Sequence, residues 1–226
     1  MGSATLNGAA LEKLISAAVA APSIHNTQPW RYRLDPDTMT LKVLADTSRG
    51  LAHADPSMRA LHLSIGASVF NLRVAAAHLG WLPVVRLLPA PEEQPDLLAS
   101  LRLAGPGHAS VAEHRPDLYS AIWRRHTSRL PFHGGRVAAA VVDEMVQAAR
   151  AENAALHVPD NEHEVRRLLL LTARAEQRNA ADPGKRAETR KWVLDARGGD
   201  AGLPGAALGA WDVTGRIPMR KWEFPC

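Results

Sequence analysis

Leu11, Leu14, Ile15, Ala18 and Val19 recur at i, i+3, i+4, i+7 and i+8, and a proline at 22 stops the pattern. The spacing predicts an amphipathic helix over residues 8–21. The next segment, Pro22 to Pro29, reads as a loop that feeds directly into extended sequence. Arg31–Leu34 and Met39–Ala45 have the character of short strands around an Asp35-Pro36-Asp37 turn, so Trp30 starts a hairpin.

Farther along, Ile65, Val69, Leu72, Ala76 and Leu79 mark a second helix ended by Gly80. Val84–Leu88 reads as a buried strand and Leu97–Leu103 as another. Gly105-Pro106-Gly107 breaks regular structure and is expected to be a hinge, followed by a helix at about His114–Arg125. The sequence on either side of that hinge echoes itself. Leu11–Ala18 can be laid over Val142–Ala149, and each is followed by predicted strand, Arg31–Leu34 in one case and Ala155–Val158 in the other. The expected organisation is a first half over residues 1–104, a second and shorter half over 105–197, and a Gly/Pro-rich tail over 198–226. The tail lacks a helical period and reads equally as a lid, an extended arm or a disordered end. The fold class is α+β, with helices packed on an antiparallel or mixed sheet in two pseudo-repeated halves.

Composition narrows the functional classes. The chain has 226 residues, 46% apolar and 22% charged, with a net charge of +4. Residues 1–119 carry ten basic and ten acidic side chains, residues 120–226 seventeen and thirteen. So small a surplus suits a phosphate-bearing small molecule and is too dilute for the basic stripe of nucleic-acid binding. The single cysteine, Cys226, permits no intrachain disulfide and fits a reducing compartment. Residues 9–21 lack the basic flank of a secretory signal, and the apolar stretch at 65–88 is interrupted by Asn71, Arg73, His78, Pro83 and Arg86. A cytoplasmic protein off the membrane is expected. The histidines follow no HExxH, paired-cysteine or facial-triad pattern, so no metal site is expected. Trp30, Trp81 and Trp123 read as core anchors.

Two segments carry the chemistry. Pro22-Ser23-Ile24-His25-Asn26-Thr27-Gln28-Pro29-Trp30 offers backbone groups and small amide or hydroxyl groups that can edge a flat heteroaromatic ring. Taken singly, Asn26 or Gln28 ordinarily satisfies local backbone after a helix end; the nine-residue pattern is what points to a ligand. About a hundred residues later, Arg124-Arg125-His126-Thr127-Ser128-Arg129-Leu130-Pro131-Phe132 clusters guanidinium and hydroxyl donors suited to a phosphate. In an extended segment Arg125, Thr127 and Arg129 point the same way and can converge on one anion. An isolated Arg-Arg pair is more often a solvated helix end, but the hydroxyls between the guanidiniums and the apolar exit distinguish this one.

Pro-Ser-x-x-Asn-x-Gln-Pro-Trp at 22–30 is similar to a signature of nitroreductase-like flavoproteins, and Arg125-His126-Thr127-Ser128-Arg129 resembles their phosphate segment. The order of the two motifs, with Asp55-Pro56-Ser57-Met58-Arg59, Ser64-Ile65-Gly66-Ala67 and Asn71-Leu72-Arg73-Val74-Ala75, looks most like the Acg-like branch of that superfamily, in which two such halves are fused. The resemblance implies FMN as cofactor. Pro22, Ser23, His25 and Asn26 would line its ring, and Arg125, His126, Thr127 and Arg129 its ribityl and phosphate. It also implies an NAD(P)H oxidoreductase working in ping-pong fashion on a nitroaromatic, quinone or similar acceptor. The redox step then lies on the flavin, with no catalytic side chain required. Fused relatives continue beyond Cys226, so either the chain is shortened or a partner completes it, and either a homodimer or a loosely held flavin is expected. The alternative is a flavin-binding or flavin-sequestering protein that does not turn over.

Overall fold

The structure is a computed structural model and describes residues 6–106, 118–128, 137–194 and 201–204. It divides into two units, one of Met1–Thr127, Ala187–Gly205 and Phe224–Cys226, the other of Ser128–Arg186 and Ala206–Glu223.

In the first unit, helix α1 (Gly8–Val19) starts at Asn7, whose side chain accepts from the N–H of Ala10 and so satisfies one of the open donors of the first turn. Strands β1 (Trp30–Asp35) and β2 (Thr40–Ala45) pair antiparallel, with Trp30 opposite Ala45 and Asp35 opposite Thr40. Helix α2 (Arg59–His78) follows, then β3 (Trp81–Leu87) and β4 (Leu97–Pro106). The four strands form one antiparallel sheet in the order β1-β2-β4-β3. Alternation along β2 sends Leu41, Val43 and Ala45 inward. With Leu101 and Leu103 of β4 they join one core with Leu14, Ala17 and Ala18 of α1 and Leu61, Ile65, Val69 and Leu72 of α2.

Helix α2 is the spine of this unit. Met58 precedes it with φ 55 and supplies no side-chain cap; instead Asp55, buried, accepts from the N–H of Leu61 at 2.9 Å. Its C-terminus closes on Leu79 and then Gly80, whose φ of +89 is the left-handed conformation that a glycine takes without a steric penalty. Among the described residues α2 is also the one helix long and apolar enough to cross a membrane, yet half of that stretch is buried in the unit. One face carries polar groups at i, i+4 and i+7. Ser64 receives the N–H of Ile24, Ser68 pairs with the Tyr32 hydroxyl, and Asn71 donates to Ala17 O at 2.9 Å. Burial pushes the Tyr32 hydroxyl's pKa up, against the opposing effect of its bond to Ser68.

Several expectations are corrected. The 84–88 strand lies at the sheet edge, and Leu87 is 70% exposed, because β3 pairs only with β4 and Pro83 cannot donate on the open side. Strand β4 runs through Gly105 and Pro106, the latter opposite Trp81, where a break was expected. The helix expected at 114–125 is α3 (Leu118–Arg124), with residues 107–117 outside the described ones. Trp30 and Trp81 are core residues, but Trp123 is 47% exposed and meets Tyr119 edge-on.

In the second unit, α4 (Ala139–Ala151) covers the expected helix, while Ala155–Val158 forms no strand. Helix α5 (Glu162–Ala181) follows, opened by Asn161, whose side chain accepts from the Glu164 N–H. Asn161 with Glu164 three residues on is a readable start signal, and Val165, Leu168, Leu169 and Thr172 keep helical spacing, so this helix was in reach of the sequence. Helix α6 (Pro183–Trp192), which belongs to the first unit from Ala187 on, ends the described helices. In the first unit again, β5 (Val193–Leu194) pairs parallel with β6 (Leu203–Pro204).

Candidate flavin site

The loop after α1 is held from several sides. A single 3-10 turn at Ile24–Asn26 places His25 and Asn26 at φ 50 and 53, and Gln28 follows at φ 50. Left-handed backbone at non-glycine residues is uncommon and persists where surrounding contacts over-determine it. Those contacts are present. The Ser23 side chain accepts from the Gln28 N–H, Ser64 from the Ile24 N–H, and Thr27 O receives Arg49 Nη1 at 3.1 Å. Pro29 O accepts from the Asp46 N–H. Asp46 in turn lies 3.7 Å from Arg49 and 4.0 Å from Arg31. Its carboxyl is held below the ordinary value, first by the Ser48 hydroxyl and then by the two guanidiniums.

The N–H groups of Ile24, Asn26, Thr27 and Gln28 therefore all have partners within the chain. The backbone donors that the sequence offered to a ring edge serve to fix the loop. Pro22 is exposed, Ser23 and Asn26 are half-buried, and His25 is buried. Thr27 is wholly buried, and its hydroxyl has no hydrogen-bond partner among the described residues.

Asn26 is met by a segment that no local pattern connects to it. Its side-chain nitrogen donates to Gly202 O at 3.0 Å, and the Gly202 N–H donates to Asn26 O at 3.0 Å. Gly202 has φ +99, which suits glycine at this tight approach. The same later stretch is tied down at Glu188, whose carboxylate accepts from the N–H of His53 and of Ala54.

The second motif reaches the end of α1, just ahead of the first. Arg125 Nη2 donates to Ala20 O at 3.0 Å, one of the carbonyls a helix C-terminus leaves open, where a cation is also favoured. Arg125 Nη1 donates to Thr127 Oγ1 at 3.0 Å. Both side chains are exposed, as is His126; Arg129 lies outside the described residues. A guanidinium has five N–H donors, so these two bonds leave others for an anion beside the Thr127 hydroxyl. The donor set thus fits a phosphate at Arg125 and Thr127, and the residue that Arg125 contacts, Ala20, lies two residues before Pro22. Sequence reasoning missed Ala20, Arg49, Ser64 and Gly202 as supports of this region, although Ser64 stood in a quoted motif and Gly202 in the Gly/Pro-rich tail.

No family model matches the chain. A Mycobacterium tuberculosis protein named "Putative NAD(P)H nitroreductase" is 32% identical over 218 residues, 94% of this chain and 59% of that relative. A second protein of the same organism, named "Putative NAD(P)H nitroreductase acg", is 36% identical over 122 residues, 54% of this chain and 35% of its own. Among solved structures, a putative nitroreductase in complex with FMN from Desulfovibrio desulfuricans covers 50% of this chain and 81% of its own, at 22% identity and a TM-score of 0.38. The chain belongs to the nitroreductase superfamily, on its Acg-like branch. It spans 59% of the first of these relatives.

Proposed function

We propose that this chain binds FMN and belongs to an oxidoreductase that passes electrons from NAD(P)H to a nitroaromatic, quinone or similar flat acceptor. The observation that carries the reading is the exposed Arg125–Thr127 pair, joined to Ala20 two residues before the Pro22–Trp30 loop. Relatives named for NAD(P)H nitroreductase activity support the reaction class. When bound, FMN supplies the hydride chemistry, and the protein supplies binding and orientation. Arg125, Thr127 and His126, with Arg129, hold the phosphate and ribityl end; Pro22, Ser23, His25 and Asn26 border the ring. The fixed left-handed loop keeps that border in one shape, so little ordering is needed on binding.

The reading extends to a homodimer in a reducing cytoplasm. Exposed Val141 and Met145 of α4, with Leu168 and Leu170 of α5, are apolar surface that a second copy can cover, and Cys226 is the single thiol in the sequence.

A visible spectrum of the purified protein is the test. A flavin band that bleaches with NAD(P)H under anaerobic conditions supports the enzyme. A band that does not bleach favours a flavin-sequestering protein, and no flavin uptake at all overturns both. Arg125→Ala and Arg129→Ala should each weaken FMN by about tenfold or more, the cost of a lost charge-assisted contact. Unchanged titrations for both would sink the phosphate assignment. Light scattering across a size-exclusion peak checks the dimer, and a monomer carrying stoichiometric FMN would contradict it.

A further inference from the structure

Helix α3 has only seven residues, too few to persist without tertiary anchors, yet it carries Arg125 at its end. Arg125 continues the helix, its N–H donating to Ala121 O at 3.0 Å. Tyr119, Ile122 and Arg125 recur every three residues and so share one stripe of the helix. Ile122 is buried in the core, one fixed point about which a short helix can still turn. The second fixed point is an aromatic stack. The ring of His78, the last residue of α2, lies 3.9 Å from that of Tyr119 at an interplanar angle of 7°. Two pins on the stripe set the direction of the third member.

We propose that the His78–Tyr119 stack is a positioning device for the phosphate-binding guanidinium: it holds α3 in the rotation that brings Arg125 onto Ala20 O and beside Thr127. Neither ring touches the ligand in this scheme; both act through Arg125. The proposal rests on the phosphate reading given above. It assigns a role to Tyr119 and His78, which lie outside both sequence motifs.

Titrations with FMN and with riboflavin, which lacks the phosphate, separate this role from a general structural one. Tyr119→Leu keeps apolar bulk and removes the ring. FMN binding should weaken about two- to tenfold, the range of an aromatic pair, while riboflavin binding stays unchanged. Tyr119→Phe should restore the wild-type FMN value. His78→Leu, at an exposed site where folding is not at risk, should repeat the Tyr119→Leu result, and His78→Phe should rescue it. In an Arg125→Ala background, Tyr119→Leu should add nothing further. Parallel loss of FMN and riboflavin, additivity with Arg125→Ala, or unchanged FMN binding in both Leu variants while Arg125→Ala weakens it, overturns the positioning role alone. If Arg125→Ala itself leaves FMN binding unchanged, the phosphate reading fails, and this proposal with it.

Discussion

Asn26 and Gly202 exchange two hydrogen bonds across 176 residues of sequence, the side-chain amide donating to the glycine carbonyl and the glycine N–H returning to the Asn26 carbonyl. The motif asparagine therefore serves the fold as well as any ligand. One of the two N–H donors of its side-chain amide is thereby engaged by the protein. Asn26→Ala removes the side-chain bond and puts alanine at φ 53, so a loss of about 1–3 kcal/mol is expected. Asn26→Gly loses the bond but tolerates the backbone and should cost less. Thermal unfolding of the two variants checks the order.

Thr27 should behave in the opposite way. Its hydroxyl is buried and lacks a hydrogen-bond partner among the described residues, so the isosteric Thr27→Val removes a desolvated polar atom and leaves the packing intact. Stability should be unchanged or rise by about 1 kcal/mol. A clear loss in urea unfolding would mean that the hydroxyl is bonded in solution.

Glu188 accepts from two consecutive backbone N–H groups, at 3.2 Å from His53 and 2.8 Å from Ala54. Charge-assisted bonds of this kind are among the stronger ones, and Glu188→Ala leaves a part-buried N–H unpaired. A loss of about 1.5–3 kcal/mol is expected, with Glu188→Gln intermediate because it keeps one good acceptor. Amide exchange at Ala54 should quicken in the alanine variant before global unfolding does.

Asp46 gives a pH dependence. The Ser48 hydroxyl, then Arg31 and Arg49, hold its carboxyl below the ordinary 3.8, against a smaller opposing effect of burial. A carboxylate with a depressed folded value stabilises fully above the unfolded value, and the contribution is lost as pH falls through the folded one. The acid limb of the stability curve below about pH 4 should therefore be shallower in Asp46→Asn. Because Asp46 lies near the surface, added salt should reduce the part that comes from the two arginines. An unchanged acid limb would remove Asp46 from the account.

Much of the first unit follows from short-range pattern. Leu11 to Val19 at helical spacing, the Asp35-Pro36-Asp37 turn between alternating strands, and Gly80 closing α2 are local choices of backbone conformation, and neighbouring residues decide them. The two candidate ligand motifs stand out in the sequence for the same reason, since each is one contiguous run of donors and acceptors. What a single run cannot encode is which distant group meets it. That Val84–Leu88 lies at an edge depends on β4 taking the only partner position. That Gly105 and Pro106 continue a strand depends on Trp81 being opposite. Tertiary structure alone decided that Gly202 closes on Asn26, that Arg125 reaches Ala20 O, and that His78 stacks on Tyr119. These contacts join residues 41 to 176 positions apart. Their geometry exists only once burial of α1 and α2 on the sheet has fixed the loop ends in space, because the entropy of bringing such segments together is met by the whole core and by no local pattern.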